Sequence, residues 1–139
     1  MDATEGVPLE LFAFREAGRH RFRTGESLSI RMAYRAKVRI EDPVFGIAIH
    51  RSDGVHVTGT NTAMEGLHIS PLQGGGQAEC VLKAVPLNPG GYFLSVAVHD
   101  RDENRSYDYH DRLYPFEIAG SREKSQGGLI SIRNVWDFT

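Results

Sequence analysis

Apolar and polar residues alternate along most of this chain, and nowhere do apolar residues recur at helical spacing. Leu9-Glu-Leu-Phe-Ala-Phe14 opens a first strand, and Gly18 and Gly25 bracket a short second one. Leu28, Ile30, Met32 and Tyr34 alternate with Ser29, Arg31, Ala33 and Arg35, which predicts a long strand with one wet side. Phe45, Ile47 and Ile49 alternate with Gly46, Ala48 and His50, and Val55, Val57 and Gly59 with His56, Thr58 and Thr60. Residues 64–76 lack the pattern and end in three glycines, so a loop is expected there. Strands are expected again over residues 79–85 and 92–98, with Pro86-Leu-Asn-Pro-Gly-Gly91 as the turn between them, then over 113–118 and 129–138. The fold class this predicts is all-β: an antiparallel immunoglobulin-like or jelly-roll β-sandwich with less than about a tenth helix.

Ser52-Asp53-Gly54 joins two of these strands, and the turn length decides which side chains share a face. A two-residue turn at Asp53-Gly54 would put Val55 and Val57 beside His50 and Ala48, splitting the apolar set. A three-residue turn with Gly54 left-handed and a bulge pairs Ile49 with Val57 and His50 with His56, which gathers the large apolar residues on one side. Burial is then expected for Phe45, Ile47, Ile49, Val57, Leu94, Val96 and Val98, and exposure for His50, His56 and Ser95. Tyr92 follows a proline-rich turn at a strand start, the place for a corner hydrogen bond from its phenol to backbone.

With 139 residues and 40% hydrophobic content, the chain is expected to form one domain, residues 1–139, with a core of its own. A net charge of -2 and the lack of a basic stripe exclude nucleic acid as the main partner. Arg19, Arg21 and Arg23 cluster, but Glu16 and Glu26 flank them, as on a solvated strand face. Cys80 is the single cysteine; between Ala78 and Leu82 it reads as a small buried hydrophobe, and it fits a reducing compartment. No signal peptide opens the chain and no apolar run nears the roughly 20 residues that span a bilayer, so a cytoplasmic, soluble domain is expected.

The two ends differ from the body. Residues 1–6 read as a tail, and residues 121–128 as a polar, glycine-ended linker that extends to about 26 Å. Ile130, Ile132, Trp136 and Phe138 share one face of a C-terminal strand over 129–138. That linker length frees the last strand from having to pair within its own chain.

Enzymatic signatures are missing: no Walker A segment, no Gly-x-Ser-x-Gly, no Cys-x-x-Cys and no His-Glu-x-x-His. Asp100, Asp102, Glu103, Asp108 and Asp111 crowd one hairpin tip with Arg101, Asn104 and Arg105, which suits a solvated loop better than two carboxylates facing across a cleft. His50 and His56 would need a third ligand to hold a metal, and none lies nearby in sequence. No catalytic residue, cofactor or metal is expected. The wet faces offer binding instead. Gly46, Ala48 and His50 on one strand, with Phe93, Ser95, Ala97 and His99 on another, would make a shallow trough if the strands are neighbours. An aromatic ring stacks on the apolar face of a pyranose, and imidazoles and hydroxyls bond its hydroxyls. The candidate carbohydrate-binding residues are therefore His50, Phe93, Ser95 and His99, with the 100–111 hairpin as the fallback.

Five segments carry a family resemblance: Asp42-Pro43-Val44-Phe45-Gly46; Asp53 to Thr62; Gly91 to Ser95; Tyr107-Asp108 with Asp111 and Phe116; and Gly128, Ile130 and Trp136 at the end. In this order and spacing the chain resembles the C-terminal domain of the ATP-binding subunit (Wzt) of bacterial O-antigen polysaccharide ABC exporters. The resemblance implies a non-catalytic module that recognises lipid-linked O-antigen polysaccharide at the cytoplasmic face of the inner membrane. It also implies partnership with a nucleotide-binding domain and a membrane subunit, and a homodimer that exchanges the last strand. The family's ATPase domain is not in this sequence, which would make the domain an excised or a separately encoded one. The alternatives are an immunoglobulin-like protein-interaction module without a sugar site and, third, a free-standing glycan-active enzyme.

Overall fold

The computed structural model describes the backbone of residues 9–15 and, in full, residues 20–102, 105–121 and 125–138. The tail at 1–6 and Gly18 lie outside these residues. Every regular element described is a strand: β1 (Leu9–Arg15), β2 (Arg21–Arg23), β3 (Leu28–Ile40), β4 (Pro43–Arg51), β5 (His56–Asn61), β6 (Leu72–Leu82), β7 (Gly90–Asp100) and β8 (Ser106–Ala119). They form a sandwich of a three-stranded sheet, β1-β3-β6, and a five-stranded sheet, β2-β8-β7-β4-β5. Ile30 and Met32 from the small sheet and Ile47, Ile49, Leu94, Val96 and Val98 from the large one fill the space between. Burying each such side chain contributes about 1.5–3 kcal/mol, so the inward set of the alternation is what holds the layers together.

One pairing departs from the antiparallel expectation: β2 runs parallel to β8, Phe22 beside Ile118. The three-residue Arg-Phe-Arg segment has one apolar side chain to place. It meets Phe116 edge-on at 6.3 Å, while Arg21 and Arg23 stay exposed. Strand β6 also begins earlier than expected, at Leu72, so the glycine run is strand and not loop. Its backbone pairs with Tyr34, Arg35 and Ala36 without needing side chains, and Gly76 lies under the Tyr34 phenol, where a Cβ would collide.

The β4–β5 turn has three residues with Gly54 at φ +96°, closed by the Arg51 N–H donating to the Val55 carbonyl at 2.8 Å. His50 pairs with His56 as expected, but Ile49 pairs with Thr58, not Val57. Val57 is the extra residue of a bulge and is half-buried against the core. Since β5 is the sheet edge, an unpaired residue there disturbs one ladder only.

The Tyr92 phenol donates to the Asn88 carbonyl at 2.6 Å, the corner bond expected of it. Asn88, 4% exposed, then acts as a clamp. Its carboxamide N–H groups reach the carbonyls of Gln126 and Gly128, each at 2.9 Å, and its carboxamide oxygen accepts from the Ser131 hydroxyl. Backbone bonds from Asn88 to Leu129 and from Ser131 to Pro86 complete a short antiparallel bridge. The second half of the expected linker is thus pinned to the 86–88 turn rather than free. The Gln126 side chain next pairs both ways with the Ile132 backbone. Beyond it residues 133–138 join none of the described strands, and Trp136 and Phe138 stack on each other at 6.1 Å while 76% and 84% exposed.

Candidate functional site: a trough on the five-stranded sheet

Strands β4 and β7 are neighbours at the middle of the large sheet. Their register sets Val44 beside His99, Gly46 beside Ala97, Ala48 beside Ser95 and His50 beside Phe93, so all four candidate residues project to one face. They do not form one site. Phe93 and His99 are six residues apart on one strand, about 20 Å at the rise of extended chain.

Ser95 is a correction: it is 2% exposed, not open to solvent. Between the Leu94–Tyr114 and Val96–His110 pairs, β8 carries two residues more than β7, and this excess arches over the face. Arg112, at φ +53°, sits at its crest, and its N–H donates to the Ser95 hydroxyl at 2.8 Å. His50 is half-buried rather than exposed, and its Nδ1 is buried with no hydrogen-bond partner. Burial, then the Arg112 and His56 charges, hold its pKa below the usual histidine value. Its ring leans on His56 at 4.9 Å.

What remains open is a depression of about 250 Å³. Gly46 and Ala48 of β4, Gly59 of β5 and Ala97 of β7 form its floor, and Ser95 lies at one side. His99 lines one end. Its Nδ1 lies 2.6 Å from the Asp100 carbonyl, which can only accept, so Nδ1 carries the proton and Nε2 of the neutral ring is an acceptor. Tyr109, beside Ala97 and 57% exposed, rises on the β8 side. Its phenol donates to Asp111 at 3.2 Å; burial first, and this bond second, push its pKa up. On the β5 side stand His56, Asn61 and Met64.

Met64 is brought there by a turn whose N–H group bonds the Asn61 carboxamide oxygen at 2.8 Å. Arg101 holds the rest of that loop: its guanidinium bonds both Asp42 carboxylate oxygens at 3.1 Å and the Leu67 carbonyl at 2.8 Å. Gly46, Ala48, Ala97 and His99, expected on one face, line this depression together; Gly59, Asn61, Met64 and Tyr109 also line it and were not anticipated by alternation. The signal for Tyr109 was an aromatic two positions from Asp111 in a strand that alternation alone started too late.

A second cavity, about 390 Å³, opens between the sheets at the β5 and β6 edges, lined mainly by Met32, Tyr34, Phe45, Ile47, Ile69 and Leu72. It continues the core. Cys80 borders it half-buried, and burial, then the Glu65 charge, push its thiol pKa up. Three carboxylates of the 100–111 hairpin have partners of their own: Asp108 bonds His110, Asp111 pairs with Arg112, and Asp100 accepts from the Arg105 N–H. Among the described residues no group of three or more His, Cys, Asp and Glu is placed to hold a metal, and no helix is long and apolar enough to cross a membrane.

A three-stranded and a five-stranded sheet packed face to face, with an open, small-floored depression on the larger, define the class of two-layer β-sandwich domains. The family is more specific. The Wzt C-terminal domain profile matches residues 7–132, and the chain belongs to that family. In structure it is similar to a crystal structure of the C-terminal domain of Wzt, with a TM-score of 0.74 and 17% identity over 95% of this chain and 84% of that one. A weaker likeness, TM-score 0.52 and 14% identity, is to the Pseudomonas fluorescens alkylpurine DNA glycosylase AlkC bound to abasic-site DNA, covering 83% of this chain and 31% of that one. At that identity it speaks for the sandwich fold alone. No curated protein matches the chain in sequence.

Proposed function

We propose that this domain is the glycan-recognition module of an O-antigen polysaccharide ABC exporter. It holds a segment of the lipid-linked polysaccharide in the trough, at the cytoplasmic face of the inner membrane, and performs no chemistry on it. Family membership supports the exporter setting, with the nucleotide-binding domain and the membrane subunit as partners. The observation that carries the sugar site is the trough itself: a floor of glycine and alanine, level enough for a pyranose ring, between an exposed tyrosine and a histidine with a free acceptor nitrogen. His99 stays in the site. Ser95 supports its side wall, while His50 and Phe93 lie at the far end of the same face. Titration of the labelled domain with O-polysaccharide fragments tests this by NMR. Shifts centred on Gly46, Ala97, His99 and Tyr109 support it; shifts confined to other surfaces, or none, refute it.

The exposed end of the chain supports a second part of the reading, a homodimer in which residues 132–138 add to a partner's sheet. Val135, Trp136 and Phe138 leave their apolar surface in water within one chain, and the Asn88 clamp fixes where they depart. Sedimentation is the test: a dimer for the intact chain and a monomer or an aggregate after removal of residues 132–139. A monomer at high concentration for the intact chain refutes exchange.

A further inference from the structure

We infer that the trough selects an uncharged stretch of glycan, built of neutral pyranoses, over chains bearing uronate or phosphate. This deepens the reading of the trough as the sugar site and rests on it. No Asp, Glu, Lys or Arg is among the described residues that line the depression. An anionic sugar laid on this floor would give up hydration and meet no lysine or arginine to replace it, only the imidazoles of His56 and His99, which is why binding is tested at pH 8.

Guanidinium groups elsewhere on this sheet already have partners, Arg105 lying over the Tyr107 ring at 5.1 Å. Arg112 pairs with Asp111 at 3.3 Å, Arg101 with Asp42 and the Leu67 carbonyl, and Arg51 with Asp53 at 2.7 Å. The charge closest to the Tyr109 wall is the Asp111 carboxylate that accepts its phenol, which opposes an anion from that side.

The polar groups present match hydroxyls instead. His99 offers an acceptor nitrogen, and the Asn61 carboxamide, its oxygen taken by the Met64 N–H, offers its NH₂ donors. A sugar hydroxyl both donates and accepts, so it satisfies either one. The methyl groups of Ala48 and Ala97 and the bare backbone of Gly46 and Gly59 give the C–H face of a neutral ring apolar contact. Met64, 71% exposed at the rim, adds a flexible apolar edge.

Affinity electrophoresis of the full chain at pH 8 tests this, with gels containing mannan, rhamnan or galactan in one set and alginate, polygalacturonate or phosphomannan in the other. At least one neutral polymer is expected to retard the protein threefold or more, with less than a twofold change between low and high salt. A97W, which fills the floor, and Y109A, which removes an exposed wall, each abolish the retardation while the melting temperature shows both folded. Retardation by anionic polymers only, or by both sets equally, overturns the selectivity but leaves the sugar site standing if A97W and Y109A remove it. Retardation that both variants leave intact, or none by any polymer, overturns the sugar site as well.

Discussion

The backbone N–H of Arg112 donates to the side-chain hydroxyl of Ser95 at 2.8 Å, tying the crest of the β8 bulge to the centre of β7. This bond turns a small residue on the wet side of a strand into one of the most buried groups in the domain. S95A removes that part-buried hydrogen bond, at a cost of about 0.5–1.5 kcal/mol. Urea unfolding should show the loss, and amide exchange at Arg112 should accelerate. Unchanged exchange would mean the bulge is held by other contacts.

The trough residues should separate affinity from stability. H99A is expected to weaken glycan binding severalfold and Y109A to abolish it, both with melting temperatures close to the wild type. F93A and H50A, at the opposite end of the sheet, should bind as the wild type does. Calorimetric titration with O-polysaccharide checks all four, and a loss in F93A with none in H99A would relocate the site.

Asn88 directs its NH₂ group at several carbonyls at once, so the sign of a substitution there is informative. N88A loses hydrogen bonds worth about 1 kcal/mol each. N88D goes further, because it sets a carboxylate against the Gln126 and Gly128 carbonyls. In urea, N88D should unfold before N88A, and both should open residues 126–131 to proteolysis. Equal midpoints would refute the clamp.

The pH dependence follows from His50. Its folded pKa lies below the unfolded value near 6.5, so the unfolded chain binds the proton more readily. Stability is full above that pH and falls as the pH drops through the folded value. The melting temperature should fall between pH 7.5 and 5.5, and H50L should flatten the fall. Asp53 acts lower down: its hydrogen bond to Arg51 holds it at about 2, so its contribution persists until the pH falls below the ordinary 3.8.

Much of the fold could be read from alternation because inward and outward residues of β3, β4 and β7 differ sharply in polarity. The same contrast marked Gly46, Ala48 and Ala97 as a floor, and the three-residue turn at Gly54 followed from keeping Val55 and Val57 off the His50 and Ala48 side. Ser95 was misjudged because the residue that covers it is 17 positions away and acts through backbone, which no side-chain pattern records. The Ile49–Val57 pairing failed for a related reason: a bulge adds a residue without changing the apolar pattern. Gly74 to Gly76 hid a strand, since glycines pair well when a neighbour such as Tyr34 supplies the bulk. Met64 reached the trough through loop bonds to Asn61 and Arg101 that alternation cannot anticipate.

The trough floor faces away from the core. A Cβ at Gly46 would meet Asn61 and the Thr60 carbonyl at 3.4 and 3.5 Å, ordinary contact, while at Gly59 it would meet the tip of the His56 ring at 3.2 Å, which the imidazole would have to yield to. A lineage carrying this sandwich can therefore enlarge one floor position at a time without disturbing a buried layer. On the proposed reading of the trough, such a change would alter which glycan fits while the folding core stays as it is.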